Sequence, residues 1–263
     1  VTPDEFRTHG HALIDWIADY VDDVEQRPVA AMVEPGDVRS QLPEHPPTEP
    51  ESFGAVMADV ERIIVPGLTQ WQHPGFFAYF PSNTSYPSIL GELLSAGLGV
   101  QGMSWVTSPA CTEVETLMLD WMRELLDLPE RFDSRSDNGG GVIQGTASEA
   151  TLVAILSARW RATAGAVNAD GDTTRLVAYA TSQAHSSIEK GLRIAGVGTD
   201  RIRIVPHDES YAMRADALDE MISVDRAAGL TPFFVCSAHG TTSSMAFDPT
   251  AALGPICERE GIW

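Results

Sequence analysis

Leu176-Val177-Ala178-Tyr179-Ala180-Thr181-Ser182-Gln183-Ala184-His185-Ser186-Ser187 is the stretch that decides the fold. Five apolar residues in a row, closed by a polar turn, are what a strand buried on both faces requires. A helical pattern follows over residues 185–195. The couplet then recurs. Arg201-Ile202-Arg203-Ile204-Val205 alternates as a half-buried strand and precedes a helical pattern over 214–228. Pro232-Phe233-Phe234-Val235-Cys236 is a second buried strand and precedes a helical pattern over 250–261. Upstream, Gly141–Gln144 reads as a short strand and 148–166 as a helix. Strands alternating with helices predict an α/β domain built on a mostly parallel sheet with flanking helices.

Further toward the N-terminus the pattern is helical. Phe6, Leu13, Ile14, Ile17, Val21 and Val24 lie on one stripe, which Pro28 ends. A proline-rich connector occupies residues 28–50. A second stripe holds Phe53, Val56, Met57, Val60, Ile63 and Ile64, ended by Pro66-Gly67. Both stripes need covering, either by their own domain or by a second subunit. Residues 71–87 follow neither period. Trp71, Phe76, Phe77, Tyr79 and Phe80 crowd together there with Pro74 and Pro81, so the segment is a pocket wall or a buried loop. Ser108 as N-cap and Pro109 at the first helical position then start a helix. Its stripe of Val114, Leu117, Met118, Trp121, Met122, Leu125 and Leu126 is expected to be core.

Composition narrows the function. The chain has 263 residues, 37 acidic against 17 basic, and a net charge of −20. Such a field repels nucleic-acid phosphates and anionic lipid. No apolar run reaches the length of a bilayer span. Cys111, Cys236 and Cys257 form neither a CxxC pair nor a disulfide framework, as expected of a protein in a reducing cytoplasm.

In open parallel sheets ligands bind beyond the carboxyl ends of the strands. Three segments fall there. In Gly145-Thr146-Ala147-Ser148-Glu149, Thr146 and Glu149 have capping-box spacing, and the amides of Ala147 and Ser148 would face outward at a positive helix end. This is an ordinary capped helix or a phosphate cup. No GxxxxGK[ST] is present, and the stretch Gly139–Gly145, GGGVIQG, does not match GxGxxG. His185 is either a histidine bonded to a neighbour or one that stacks on a flat ligand. His239-Gly240-Thr241-Thr242-Ser243-Ser244 is a Ser/Thr turn or a source of hydroxyl donors. His185, His207 and His239 lack zinc-site spacing, and no GxSxG marks a serine nucleophile. Together the three strand ends suggest a planar, phosphate-bearing cofactor.

At these residues the chain resembles the pyridoxal-phosphate-dependent aromatic-L-amino-acid decarboxylases. The matching segments run in order. They are Glu5-Phe6-Arg7, Trp71–Pro81, Ser108–Glu113, Gly139–Ala150, Gln183–Ser187, Ala212-Met213-Arg214, Gly240–Ser243 and Gly254–Cys257. The resemblance implies a fold-type-I architecture, pyridoxal 5'-phosphate as cofactor and a homodimer clasped by the N-terminal helices. It implies an N-terminal segment over 1–85 and a cofactor-binding α/β domain over 86–263. By the same resemblance, Thr146, Ala147 and Ser148 bind the phosphate, His185 stacks on the pyridine ring and Thr242 touches the cofactor. Trp71, Tyr79, Phe80, Pro81 and Ser82 wall the substrate's ring, and Gln101 and Met103 reach into the partner's pocket.

The implied reaction converts an aromatic L-amino acid to its amine and CO2. An aromatic aldehyde synthase on the same scaffold, or a non-catalytic fragment, is the alternative. Gln101, Met103, Ser82 and His239 depart from the residues of the animal enzymes, which bears on substrate choice. The lysine that would hold the cofactor and the aspartate facing its ring nitrogen are expected beyond Trp263, so residues 1–263 alone are expected to be inactive. The one lysine here, Lys190, is expected to be a surface charge.

Overall fold

Five buried residues, Leu176–Ala180, form β1, the middle strand of a three-stranded sheet. The computed structural model describes every residue of the chain except Pro81. Two units are present, Val1–Leu98 and Gly99–Trp263.

In the second unit, β2 (Ile202–Ile204) and β3 (Thr231–Val235) flank β1, both parallel to it, in the order β2-β1-β3. The β1–β3 register slips between Val177 and Ala178. Pro232 pairs there and has no N–H to offer, so the ladder cannot run through unbroken. Trp263 continues the sheet beyond β3. Its N–H donates to the Phe233 carbonyl at 3.0 Å and its carbonyl accepts from Val235 N–H at 2.8 Å, the slanted pattern of a parallel neighbour.

Alternate residues of β1 feed two cores. Leu176, Ala178 and Ala180 meet Ile155 and Ala158 of α6 (Ala147–Ala162) and Ile188 and Leu192 of α8 (Ser187–Ile194). Val177 and Tyr179 meet Leu218 and Ile222 of α9 (Ala215–Ala227) and Leu253 and Ile256 of α10 (Thr250–Glu260). Each fully buried aliphatic or aromatic side chain contributes about 1.5–3 kcal/mol. Helices on both faces make the expected three-layer α/β arrangement.

α8 approaches α6 closely because residue 191 is glycine. A Cβ there would lie 2.8 Å from Ile155 Cδ1, and Ile155 is fully buried with nowhere to retreat. The run Gly139-Gly140-Gly141 is likewise structural. A Cβ on Gly139 would fall 1.9 Å from the Asp133 carbonyl oxygen, in a loop that Asp133–Arg135 and Ser134–Asp120 hydrogen bonds hold in place. The Arg135 guanidinium keeps the Asp133 carboxyl well below the usual range.

Two expectations fail in this unit. Residues 141–144 form no strand, because the described sheet places no neighbour beside them. Ile143 N–H bonds to Glu115 Oε1 at 2.7 Å instead. α5 (Pro109–Leu125) starts at Ser108 as expected, but none of its residues is buried and Leu125 is 80% exposed. The apolar stripe is real, yet nothing described covers it. The helix read over 148–166 ends at Ala162, and a single turn, α7 (Val167–Asp170), follows.

In the first unit, α1 (Pro3–Asp23) opens with a complete capping box between Thr2 and Glu5. A single turn, α2 (Asp37–Ser40), interrupts the proline-rich connector. The second stripe forms α3 (Phe53–Asp59), one π turn over Val60–Ile64 and a 3-10 turn ending at Gly67. His9 stacks on Phe53 at 4.5 Å, and Tyr20 hydrogen-bonds the buried Gln70. α1 itself has no buried residue, and Phe6 is exposed. α4 (Tyr86–Leu98) was not visible as a periodic stripe. No described helix is long and apolar enough to cross a membrane.

Candidate active site

The carboxyl edge of the sheet carries three turns. The first is the start of α6. Thr146 is in extended conformation, and its Oγ1 accepts from Glu149 N–H at 3.1 Å. The reciprocal half of the expected capping box is shifted by one residue, since Glu149 Oε2 accepts from Gly145 N–H at 3.0 Å. Among the described residues the amides of Ala147 and Ser148 and the Ser148 hydroxyl have no partner, and all are exposed. These donors sit at the positive end of a 16-residue helix. A phosphate would be met by amides and a hydroxyl with no bulky side chain in the way.

The second turn follows β1. His185 Nδ1 accepts the Ser187 N–H at 3.2 Å and lies 3.0 Å from Ser187 Oγ. Ser187 Oγ is in turn 3.5 Å from Thr151 Oγ1, one turn along α6 from Ser148. The two turns are therefore physically joined. A cavity of about 350 Å³ opens on the β2 side of this turn, lined by Thr181, Ser182, His185, Glu189 and Ile202 among others and not by Thr146, Ala147 or Ser148. His185 precedes α8 rather than starting it. Lys190 lies on the exposed face of α8, opposite Ser187, Ile188, Gly191 and Leu192.

The third turn follows β3, and its adjacent threonines divide the work. Thr241 is buried and builds the turn, its Oγ1 accepting Ala246 N–H at 3.1 Å and meeting Ser244 Oγ at 2.6 Å. Gly240 supplies the left-handed φ of 75° that the reversal needs. Thr242 is left exposed, with its hydroxyl available. Asp248, only 4% exposed, anchors the turn from behind by accepting Met213 N–H at 2.7 Å and Ala238 N–H at 2.6 Å. His239 has a local role, with Nε2 2.8 Å from Thr250 Oγ1 and its ring edge-on to Phe247.

Burial, with the Asp248 carboxylate second, pushes the nearby Cys236 thiol up to about 11. This thiol is therefore a packing group at neutral pH, not a nucleophile. The unfolded thiol ionises first, so stability is full below pH ~9 and falls by roughly 2–3 kcal/mol as pH rises toward 11. Urea unfolding of wild type and Cys236→Ala across that range checks this, the alanine variant losing correspondingly less.

The aromatic segment belongs to the first unit. Trp71 stacks on Tyr79 at 5.7 Å and tilts against Phe76 at 4.8 Å. Tyr79 adopts a left-handed φ of 57°, and its ring and that of Phe80 are exposed. Gln72 Nε2 donates to the Ser82 carbonyl at 2.8 Å and so fixes the far end. Pro81 lies outside the described residues. Gln101 and Met103 are exposed in the second unit ahead of α5. The structure thus joins Thr146, Ala147 and Ser148 to His185, sets Thr242 on the same sheet edge, and groups Trp71 with Tyr79. Sequence patterns did not reveal Ser187, Thr151 or Asp248, whose roles depend on contacts across 35 or 36 residues.

Comparison with known proteins bears on what this edge holds. Residues 35–263 match the family described as "Pyridoxal-dependent decarboxylase conserved domain". The chain is 49% identical to aromatic-L-amino-acid decarboxylase of Rattus norvegicus, over 98% of this chain and 55% of that protein. It is 48% identical to phenylacetaldehyde synthase of Arabidopsis thaliana, over 99% of this chain and 53% of that one. The crystal structure of Catharanthus roseus tryptophan decarboxylase in complex with L-tryptophan superposes with a TM-score of 0.93 at 39% identity, covering 100% of this chain and 55% of that chain. The chain spans about half the length of the curated relatives it matches.

Proposed function

Since this chain belongs to the pyridoxal-dependent decarboxylase family, we propose that the protein removes the carboxylate of aromatic L-amino acids, giving the amine and CO2. The observation that carries the reading is the set of free donors at Ala147 and Ser148 beside the turn that holds His185. That set fits pyridoxal 5'-phosphate, because a phosphate needs unpaired donors at a helix start and a flat ring needs a stacking partner at the strand edge. When bound, this cofactor supplies an electron sink for the charge that departing CO2 leaves on the substrate.

The chain's own residues do the positioning. Ala147 and Ser148 anchor the phosphate, and Thr146 holds the helix end open for it. His185 keeps the ring from rotating, which preserves the alignment of the bond to be broken. Thr242 adds a hydroxyl from the facing turn. Trp71, Tyr79, Phe80 and Pro81 would offer the substrate's ring an apolar slot, Ser82 would complete that wall, and Gln101 and Met103 would reach the partner's pocket. A second charged group on the substrate would enter such a wall unpaired. Tyrosine, tryptophan or dihydroxyphenylalanine should therefore turn over well ahead of glutamate, by at least about a hundredfold. Steady-state CO2 release on these substrates tests it, and glutamate turning over faster would overturn the pocket assignment.

Aldehyde synthesis is the second reading, favoured by the 48% identity to the Arabidopsis enzyme. Ammonia and hydrogen peroxide release with the same substrates separates the two. We further propose a cytoplasmic homodimer. The exposed apolar faces of α1 and α5 support the dimer, and three unpaired cysteines suit a reducing compartment. A light-scattering mass of one subunit at micromolar concentration would overturn the dimer.

A further inference from the structure

Ser187 stands out as a small polar residue kept 6% exposed inside the packing of α8, its amide donating to His185 Nδ1 and its hydroxyl lying between that nitrogen and Thr151 Oγ1. Its amide has no other acceptor among the described residues, and a buried amide without an acceptor is costly. His185 Nδ1 must therefore present a lone pair to that amide, so the neutral ring carries its proton on Nε2. The Ser187 hydroxyl, 3.0 Å from the same nitrogen, fixes the ring's rotation, and Thr151 Oγ1 lies 3.5 Å behind the hydroxyl on the helix that carries Ser148.

We propose that Ser187 is a positioning residue, which holds His185 as the Nε2–H tautomer in one orientation and, through Thr151, locks the stacking ring to the phosphate cup. The inference rests on the assignment of His185 to the cofactor site. Gly191 supports it, since its missing side chain brings α8 against Thr151, Leu152 and Ile155 and so brings the hydroxyls within reach.

The test uses histidine-selective ¹⁵N labelling of the whole protein, cofactor-free and cofactor-bound, with His185 assigned by its absence in His185→Gln. In wild type Nδ1 should read as an unprotonated acceptor and Nε2 as the protonated nitrogen. Ser187→Ala keeps the amide and loses the hydroxyl. It should leave Nε2 protonated, broaden and shift the His185 ring signals in the cofactor-free protein as the ring's rotation is freed, and lower kcat about tenfold with KM nearly unchanged. Ser187→Thr should restore both, and Thr151→Val should give a smaller shift in the same direction. Protonated Nδ1 in wild type would overturn the proposal, as would Ser187→Ala with unaltered spectra and kcat. Spectra that change on Ser187→Ala while His185→Gln retains full activity would uphold the positioning and refute the catalytic assignment of His185, so the two readings fail separately.

Discussion

Replacing Asp225 by alanine should lower the unfolding free energy by about 3–5 kcal/mol. Asp225 is 5% exposed on α9, and its carboxylate accepts the Tyr179 hydroxyl at 2.8 Å and the Arg203 guanidinium at 2.8–3.1 Å. Desolvation, reinforced by the bond to Asp225, pushes the Tyr179 phenol far above its usual range, so it stays a neutral donor. Without Asp225, a fully buried hydroxyl and a half-buried cation lose their acceptor together. Tyr179→Phe removes only one donor and should cost less, about 1.5–3 kcal/mol. Urea unfolding compares the two. A loss below about 1 kcal/mol for Asp225→Ala would show that the network does not hold α9 to the sheet.

His185→Ala and Ser148→Ala should fail in opposite ways. Loss of the stacking ring frees the cofactor to tilt, and a misplacement near 1 Å costs about a hundredfold in kcat. Cofactor affinity should fall far less, because the phosphate cup is untouched. Ser148→Ala removes one charge-assisted hydrogen bond, on the order of 1.5–3 kcal/mol, and should chiefly speed cofactor loss on dialysis. Turnover with saturating cofactor and the dissociation constant, measured side by side, check the pair. The same pattern in both variants would mean that the roles are misassigned.

The strands were readable because burial on both faces writes itself as continuous apolar runs, and β1 matches Leu176–Ala180 residue for residue. Once β1 and β3 were placed, topology located His185 and Thr242 at one edge, whereas Ser148 was placed there from a strand over 141–144 that does not form, and it reaches that edge through Thr151 and Ser187. What periodicity cannot show is the partner. The stripe on α5 announces an apolar face without saying what covers it, and 141–144 has strand composition but no strand beside it. α4 escaped because Tyr86–Leu98 is apolar nearly all round and contains Gly91 and Gly97, so no stripe emerges. Asp225 and Ser187 were invisible for a different reason. A buried carboxylate or hydroxyl acquires its meaning from residues brought to it by folding.

The glycine at 191 acts as a gauge block. It sets the spacing between the helix proposed to grip the phosphate end of a ligand and the turn proposed to meet its ring. A methyl group inserted there gains about 1 kcal/mol of helix propensity and loses about 1–3 kcal/mol to overpacking against Ile155. The net change runs from nil to a loss of about 2 kcal/mol, while the ring is shimmed outward by a few tenths of an ångström relative to the cup. Residue 191 therefore bears on alignment as well as on packing, and Gly191→Ala should lose more turnover than its loss of stability accounts for.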